Sequence, residues 1–187
     1  MEQSNLWNNK GIIEILNNNK VVVMPTDTLY GILGKAFYTS VVNRIYVIRK
    51  RSPEKPCIIL IGNLGELIKF SINLSKEQEK EIRKYTEPTS FVLDCPDEKF
   101  TYLHRGTQTL AFRLPTQKDL QDLLKQTGPL IAPSANPEGL SPAKNITEAQ
   151  KYFGNAVDLY IDGGEIQGKA SKIIKLNKDG SVEILRN

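Results

Sequence analysis

The chain has 187 residues, of which 40% are hydrophobic and 25% are charged. This length and composition are typical of one globular domain that can bury a core, and they exclude a disordered segment. No apolar run is long enough to cross a bilayer, and the N-terminus lacks the basic start and apolar run of a signal peptide. We therefore expect a single domain over residues 1–187, located in the cytoplasm and without a membrane partner.

The first third of the chain predicts a helix, a strand, a loop and a second helix. Ser4 is the expected N-cap of a helix that ends in the Asn17-Asn18-Asn19 run, and residues 21–24 are four apolar residues typical of a buried strand. Residues 25–34 are predicted to be a loop. It leads to a helix whose apolar face lies within residues 41–48 and which ends in a basic run.

The rest of the chain continues to mix helices and strands. Ser75 and Gln78 form a capping box that predicts a helix over residues 76–85, and Asp179-Gly180 predicts a hairpin turn. Further helices are expected at 120–125 and 147–153, and further strands at 57–61, 91–93, 110–112, 129–132, 157–161, 172–176 and 182–185. The pattern predicts an α/β (α+β) domain in which helices flank a twisted mixed sheet.

The sequence lacks the motifs of several common nucleotide-binding and metal sites. The sequence has neither a Gly-x-x-x-x-Gly-Lys-Ser/Thr loop nor a Gly-x-Gly-x-x-Gly fingerprint. Its one histidine, His104, and its two cysteines, Cys57 and Cys95, are too far apart in sequence for a zinc motif. The cysteines lie in apolar runs and are expected to be buried thiols. We expect no metal ion bound by protein side chains.

Three polar turns follow predicted strands and are candidate ligand-binding loops. They are Pro25-Thr26-Asp27-Thr28, Pro133-Ser134-Ala135-Asn136-Pro137 and Asp162-Gly163-Gly164-Glu165. A rigid strand end is a common position for ligand-binding side chains. Each turn taken alone is equally consistent with ordinary turn or capping chemistry.

A basic group accompanies these turns. Arg49, Arg51 and Lys55 lie at and just after the predicted end of a helix, and Arg113 ends a strand. Guanidinium and ammonium groups supply charge and geometry for binding phosphates. The alternative for the first two is favourable pairing with the helix C-terminus. The sequence also contains 25 basic against 21 acidic residues, for a formal charge of +4, which permits an anionic ligand.

Taken in order, these motifs resemble those of the YrdC-like family, in particular its short, single-domain bacterial members of the TsaC type. The resemblance spans nearly the whole chain from Val21 to Arg186. It is carried by Pro25-Thr26-Asp27-Thr28-Leu29-Tyr30-Gly31, Arg49-Lys50-Arg51-Ser52-Pro53-Glu54-Lys55-Pro56, Leu110-Ala111-Phe112-Arg113-Leu114-Pro115, Pro133-Ser134-Ala135-Asn136, and Asp162-Gly163-Gly164 through Gly168 and Ser171.

The resemblance implies an open concave ligand site and a nucleotidyltransferase activity. The family joins L-threonine, bicarbonate or CO2, and ATP into L-threonylcarbamoyladenylate and releases pyrophosphate. The product serves the t6A modification at position 37 of tRNA. Implied partners are RNA or tRNA and the downstream threonylcarbamoyl-transfer machinery (TsaD, TsaB and TsaE type), and the implied cofactor is Mg²⁺ accompanying ATP.

The resemblance also implies roles for individual residues. Thr28, Arg113 and Ser171 would bind threonine, and Arg49 and Arg51 would be catalytic through the charge that they place on the phosphates. The residues implied to bind ATP are Arg49, Arg51, Lys55, Thr109, Ser134, Asn136, Ser141 and Arg186. The family lysine of the Lys-x-Arg segment corresponds to Arg49, with Lys50 as the neighbouring alternative.

Two other functions stay open at this point. One is a protein of the same fold that binds structured ribosomal or transfer RNA, although the sequence has no RNA-binding aromatic motif. The other is a carbamoyl-transfer domain of the type embedded in hydrogenase-maturation proteins. The chain lacks the zinc-finger and acylphosphatase-like segments of that type.

Overall fold

The structure is a computed structural model, and it describes residues 6–7 and 10–187. Helices and strands alternate along the described chain. Their order is α1 (Lys10–Asn17), β1 (Val22–Pro25), β2 (Tyr30–Lys35), α2 (Thr39–Arg49), β3 (Ile58–Leu60), α3 (Lys76–Ile82), β4 (Thr89–Asp94), α4 (Thr101–His104), β5 (Thr109–Arg113), α5 (Lys118–Thr127), β6 (Leu130–Ile131), α6 (Ile146–Phe153), β7 (Leu159–Tyr160), β8 (Lys172–Leu176) and β9 (Val182–Arg186).

All nine described strands belong to one sheet in the order β7-β1-β2-β6-β3-β5-β4-β8-β9. Three neighbouring pairs are parallel, namely β1 with β7, β3 with β5, and β4 with β8. The remaining pairs are antiparallel. The predicted mixed α/β sheet flanked by helices is therefore confirmed.

Helices cover both faces of the sheet, and β1 shows why its sequence is apolar throughout. Val22 and Met24 belong to a core cluster that includes residues of α1 and α5. Val23, the residue between them, belongs to a second cluster that includes residues of α2, α4 and α6. Because side chains alternate across a strand, a strand buried on both faces requires an apolar residue at each position.

The prediction of a loop over residues 25–34 was wrong. Residues 26–29 form a tight turn closed by the bond from Thr26 N to Leu29 O (2.9 Å), and Tyr30–Lys35 continues as β2 antiparallel to β1. Glycines weaken strands in general, and this strand contains two of them, Gly31 and Gly34. Gly34 instead admits α2 close to the sheet, since a β-carbon there would overlap Val41 Cγ1.

Most other predicted elements are confirmed, with shifted ends. Ser75 and Gln78 form both bonds of the predicted capping box, although α3 ends at Ile82. The Asp179-Gly180 turn joins β8 to β9, with Gly180 at φ +84°. The predicted cap at Ser4 lies outside the described residues.

Within residues 6–7 and 10–187, no helix combines the length and the apolar character of a membrane span.

Replacing Gly34 by alanine should destabilise the fold, because the new methyl group would overlap Val41 and approach Ile45 Cδ1 at 3.2 Å. We expect the free energy of unfolding to fall by about 1–3 kcal/mol, the usual cost of overpacking a core. Urea denaturation would measure the loss. Gly65→Ala is the matched control, since the added carbon meets only the flexible Asn63 side chain. Equal stability of the two variants would contradict the tight β2–α2 contact.

Candidate active site

The turn between β1 and β2 presents hydroxyl groups in a fixed arrangement. Thr26 Oγ1 donates to Leu29 O (2.8 Å) and lies 3.1 Å from Thr28 Oγ1. Beneath the turn, Trp7 Nε1 donates to the Pro25 carbonyl (3.0 Å). The turn is thus held by its own hydroxyl and by a buried indole, and Thr28 is left facing the cavity described below.

Asp27 and Arg113 form a buried ion pair beneath this turn. Arg113 Nη2 lies 2.9 Å from Asp27 Oδ1, and the two side chains are only 4% and 1% exposed. Burial lowers the pKa of Arg113, and the Asp27 carboxylate counteracts this. Arg113 ends β5, so the pair fastens the β1–β2 turn to a strand on the other side of β2, β6 and β3.

A second guanidinium approaches from β9. Arg186 donates through Nε (3.1 Å) and Nη2 (2.7 Å) to the backbone carbonyl of Ser171. The side-chain hydroxyl of Ser171 lies 2.9 Å from Ser90 Oγ. Burial lowers the pKa of Arg186, and repulsion by Arg113 lowers it further. The two guanidinium groups are therefore close enough to repel each other.

These groups surround one cavity of about 180 Å³, which we call the central cavity. It contains five of the predicted site residues, contributed by five separated parts of the chain. Its lining residues are Thr26, Thr28, Leu29, Tyr30, Gly31, Ile58, Arg113, Ala132, Pro133, Ser134, Pro142, Ala170, Ser171 and Arg186.

The loop after β6, which we call the Ser-Asn loop (residues 133–141), reaches the cavity because it continues alongside β2. Ile32 N donates to Pro133 O (2.9 Å) and Ala135 N donates to Tyr30 O (2.8 Å). This extension of the sheet places Ser134 beside the β1–β2 turn. Two predicted ligand loops that are far apart in sequence therefore line the same cavity.

Arg49 lies directly behind the Ser-Asn loop. Its Nε donates to Asn136 O (2.9 Å), and its Nη2 donates to Asn136 Oδ1 (3.2 Å) and to Ser134 Oγ (3.4 Å). Asn136 also accepts from Ser134 Oγ (2.6 Å) and donates to the carbonyls of Pro137 and Leu140. Asn136 thus holds the loop together, and Arg49 joins the end of α2 to it.

The segment after α2, which we call the basic loop (residues 50–56), is held by the carboxylate of Glu138. This residue is not among the predicted site residues. Glu138 accepts from Lys55 Nζ (2.6 Å) and from Ser52 N, and its own backbone N donates to Arg49 O (2.8 Å). The bonds from Lys55 and Ser52, the one from Lys55 first, lower the pKa of Glu138 from 4.5 to about 2. Arg51 donates to the carbonyls of Lys55 and Pro56.

The remaining predicted site residues lie farther from the cavity. Lys50 is exposed and caps α2 in the left-handed conformation, whereas Arg49 is buried. Ser141 is exposed beside Pro142, which lines the cavity. Thr109 begins β5, about 13 Å from Arg113 by the rise of a strand, so the structure does not bring it to the central cavity.

Sequence reasoning missed three residues that organise the site. Asp27 could have been found as the partner that a buried arginine requires. Tyr30 holds the segment between β7 and β8 (residues 162–171), since its hydroxyl donates to Gly164 O and accepts from Gly163 N, both at 2.8 Å. No local sequence pattern pointed to Glu138, because its partner Lys55 lies 83 positions away in sequence.

The described residues contain no group of three or more His, Cys, Asp or Glu side chains arranged to hold a metal ion. Mg²⁺ commonly binds through substrate phosphates instead.

Comparison with known proteins identifies the family. A sequence model of the Sua5/YciO/YrdC family, described as "Telomere recombination", matches residues 14–187. The chain belongs to this family.

Members of the Sua5/YciO/YrdC family that resemble the chain include named enzymes. The threonylcarbamoyl-AMP synthase of Bacillus subtilis is 32% identical over 155 residues, covering 80% of the chain and 44% of that enzyme. That of Pyrococcus abyssi is 28% identical over 176 residues, covering 92% of the chain and 52% of that enzyme. The chain spans about half the length of these relatives.

A solved structure of the same family agrees with the fold. Pyrococcus abyssi Sua5 complexed with L-threonine superposes with a TM-score of 0.85 at 25% identity, covering all of this chain and 54% of that protein. The Escherichia coli YciO structure gives a TM-score of 0.82 at 24% identity, covering 98% of this chain and 89% of that protein, and it supports the fold alone.

Replacing Glu138 by glutamine tests how this carboxylate holds the basic loop. A carboxylate whose pKa falls on folding contributes stability above its unfolded pKa and loses it as the pH falls through the folded one. The wild-type protein should therefore lose the Glu138 contribution between pH 4.5 and about 2. The wild type should unfold at a higher temperature than Glu138→Gln at pH 6, and this difference should shrink toward pH 2.

Glu183→Gln is the matched control, because Glu183 is exposed on β9 and no ion pair involving it is found among the described residues. Its unfolding temperature should follow that of the wild type across the same pH range. A Glu138→Gln curve parallel to that of the wild type would contradict the assignment.

Proposed function

We propose that this chain synthesises L-threonylcarbamoyladenylate from L-threonine, bicarbonate or CO2, and ATP, with release of pyrophosphate. The observation that carries the proposal is the central cavity, where two guanidinium groups and the hydroxyls of Thr28, Ser134 and Ser171 converge. The names of its relatives and the threonine held by Pyrococcus abyssi Sua5 support the same activity.

In this proposal the central cavity holds threonine. A carboxylate pairs well with a planar guanidinium, and Arg113 is kept in place by Asp27 from beneath. Thr28 and Ser171 offer short hydroxyls for the polar end of the amino acid. Holding the amino acid in one orientation is the main contribution that the cavity makes to rate.

The nucleotide would lie along the Ser-Asn loop and the basic loop, next to the cavity. Ser134 belongs to both regions, because it lines the cavity and accepts from Arg49. The carbamate oxygen attacks the α-phosphate and pyrophosphate leaves. Arg51 and Lys55 would neutralise the charge that develops on the departing group. Mg²⁺ would enter with ATP, bound to phosphate oxygens.

The proposal includes a cellular setting. The product would serve the t6A modification at position 37 of tRNA in the cytoplasm, with threonylcarbamoyl-transfer proteins of the TsaD, TsaB and TsaE type as the consumers. Among the described residues, no observation favours RNA binding as the primary function.

The activity is tested with the purified chain, MgATP, L-threonine and bicarbonate. We expect pyrophosphate release that requires all three substrates, and an adenylate of the expected mass by mass spectrometry. A folded chain that releases no pyrophosphate with every substrate present would overturn the proposal.

Arg113→Lys should lower kcat/KM for threonine by about 10- to 100-fold, because an ammonium cannot reproduce a bidentate guanidinium contact. KM for ATP should change little, since Arg113 lies on the amino-acid side of the cavity. Arg83→Lys is the matched control, because Arg83 is exposed at the end of α3. Equal losses for threonine and ATP would contradict the assignment of Arg113.

Arg49→Gln and Lys50→Asn separate the two cations at the end of α2. The first removes a buried charge bonded to Asn136, and we expect kcat/KM for ATP to fall by about 10- to 100-fold. The second removes an exposed charge and keeps a residue that tolerates the left-handed conformation at φ +50°. It should change kcat/KM by less than about threefold. Thermal unfolding verifies that both variants are folded, and a larger loss in Lys50→Asn would contradict the assignment.

A further inference from the structure

Glu138 presents its carboxylate to the basic loop at a point where an anionic ligand would also bind. Its Oε1 accepts from Lys55 Nζ at 2.6 Å, and its Oε2 accepts from the backbone N–H of Ser52. An ammonium group and a backbone N–H are donors that phosphate oxygens commonly use in proteins. The carboxylate therefore occupies donors suited to a phosphate, and the proposed function assigns one of them, Lys55, to the departing pyrophosphate.

Lys55 differs from the two guanidinium groups near the end of α2 in having a carboxylate partner. Arg49 bonds to Asn136, and Arg51 bonds to the backbone carbonyl of Lys55. Within the described part of the chain, neither guanidinium group has a carboxylate at ion-pair distance. Glu138 thus neutralises one particular cation of this group.

The pair formed by Lys55 and Glu138 is open to replacement by another anion. The two side chains are 56% and 25% exposed, and ion pairs at the surface contribute little to stability because water solvates both charges. The bond from Lys55, and after it the one from Ser52, lowers the pKa of Glu138 to about 2, so the carboxylate is ionised at neutral pH. A polyphosphate carries several negative charges where a carboxylate carries one, so it attracts the same ammonium group more strongly.

The backbone at Lys55 is held by contacts that do not involve Glu138. Tyr46 Oη donates to Lys55 O at 2.8 Å, and Arg51 Nε donates to the same oxygen at 3.0 Å. The backbone N of Arg51 in turn donates to Tyr46 O at 3.0 Å. Loss of the carboxylate contact therefore leaves the Lys55 backbone in place and frees its ammonium group for another anion.

We propose that Glu138 is a positioning residue for the polyphosphate part of the nucleotide. Its carboxylate holds Lys55 before the nucleotide binds, yields Lys55 to the polyphosphate, and takes Lys55 back as pyrophosphate leaves. The inference rests on the proposed function and deepens it, since it names the group that exchanges with the departing pyrophosphate. Glu138 thereby weakens the binding of pyrophosphate and speeds its release.

Isothermal titration calorimetry with inorganic pyrophosphate and Mg²⁺ tests the exchange. Glu138→Gln keeps the shape of the side chain and an acceptor for Ser52 N, and it removes the charge that competes for Lys55. We expect this variant to bind pyrophosphate about two- to fivefold more tightly than the wild type, the effect that a surface ion pair has on an equilibrium constant.

Steady-state kinetics separates this role from a purely structural one. In Glu138→Gln, KM for ATP should fall by a similar factor without a rise in kcat, and pyrophosphate should inhibit the reaction more strongly. A purely structural role predicts the opposite, because a basic loop that has lost its support would raise KM for ATP and weaken pyrophosphate binding.

Two further variants separate exchange at Lys55 from general charge. Glu54→Gln removes an exposed carboxylate next to Lys55 in sequence, for which no ion pair is found among the described residues. Its affinity for pyrophosphate should change by less than about 1.5-fold, since salt screens exposed charges that are not in contact. In a Lys55→Met background, Glu138→Gln should also change this affinity by less than about 1.5-fold, because the group that exchanges partners is gone. Thermal unfolding verifies that each variant is folded.

The outcomes distinguish this inference from the proposed function. Unchanged or weaker pyrophosphate binding by Glu138→Gln, or an equal gain in the Lys55→Met background, would overturn the inference, while pyrophosphate release by the wild type would still establish the activity. Tighter binding by Glu138→Gln in a chain that forms no adenylate would support the exchange at Lys55 and overturn the proposed function. A wild type that binds no pyrophosphate would overturn the inference.

Discussion

The site depends on the buried pair of Asp27 and Arg113. Removing two charges from water is costly, and an uncompensated partner would be strongly destabilising. With side chains 1% and 4% exposed, neither group can turn to solvent, so each fixes the position of the other. The β1–β2 turn is thereby held against the end of β5, and Thr28 is held at the cavity wall. The ion pair links the fold to the shape of the binding site.

A second set of contacts joins the central cavity to the basic loop. Ser134 lines the central cavity and is bonded to Asn136, which is bonded to Arg49. Glu138, in the same loop, holds Ser52 and Lys55 of the basic loop. A displacement of the Ser-Asn loop would therefore move both halves of the site together. Such coupling suits the proposed reaction, in which an atom of one substrate must reach an atom of the other.

The sequence indicated the elements whose determinants are local. The apolar run of β1, the capping box of α3 and the turn before β9 each depend on a few adjacent residues, and all three are confirmed. The strand β2 was missed, and one of its two glycines, Gly34, is explained by its contact with α2, a tertiary feature. Local propensity carries no information on which helix will approach a strand.

The residues of the candidate site also fall into those that local motifs predicted and those that depend on distant partners. Five predicted residues line one cavity, because their motifs follow strands that the sheet brings together. Thr109 was assigned by resemblance, and it begins β5 whereas Arg113 ends it, so one strand holds them apart. Asp27 and Glu138 were missed, since each is defined by a partner distant in sequence. Pairing partners of buried or clustered charges follow from the fold and not from spacing.

The two halves of the candidate site hold their cations differently. On the proposed phosphate side Lys55 is paired with Glu138, both partly exposed, so a polyphosphate could replace the carboxylate at little cost. On the amino-acid side Asp27 offsets Arg113 from beneath, while Arg186 bonds only to the neutral groups of Ser171 and is repelled by Arg113. Arg186 is exposed, so both solvent and an anionic ligand can reach its guanidinium group. In the proposed function, a cation for which no carboxylate partner is found among the described residues is therefore open to the amino acid, whereas Arg113 is held in place by Asp27.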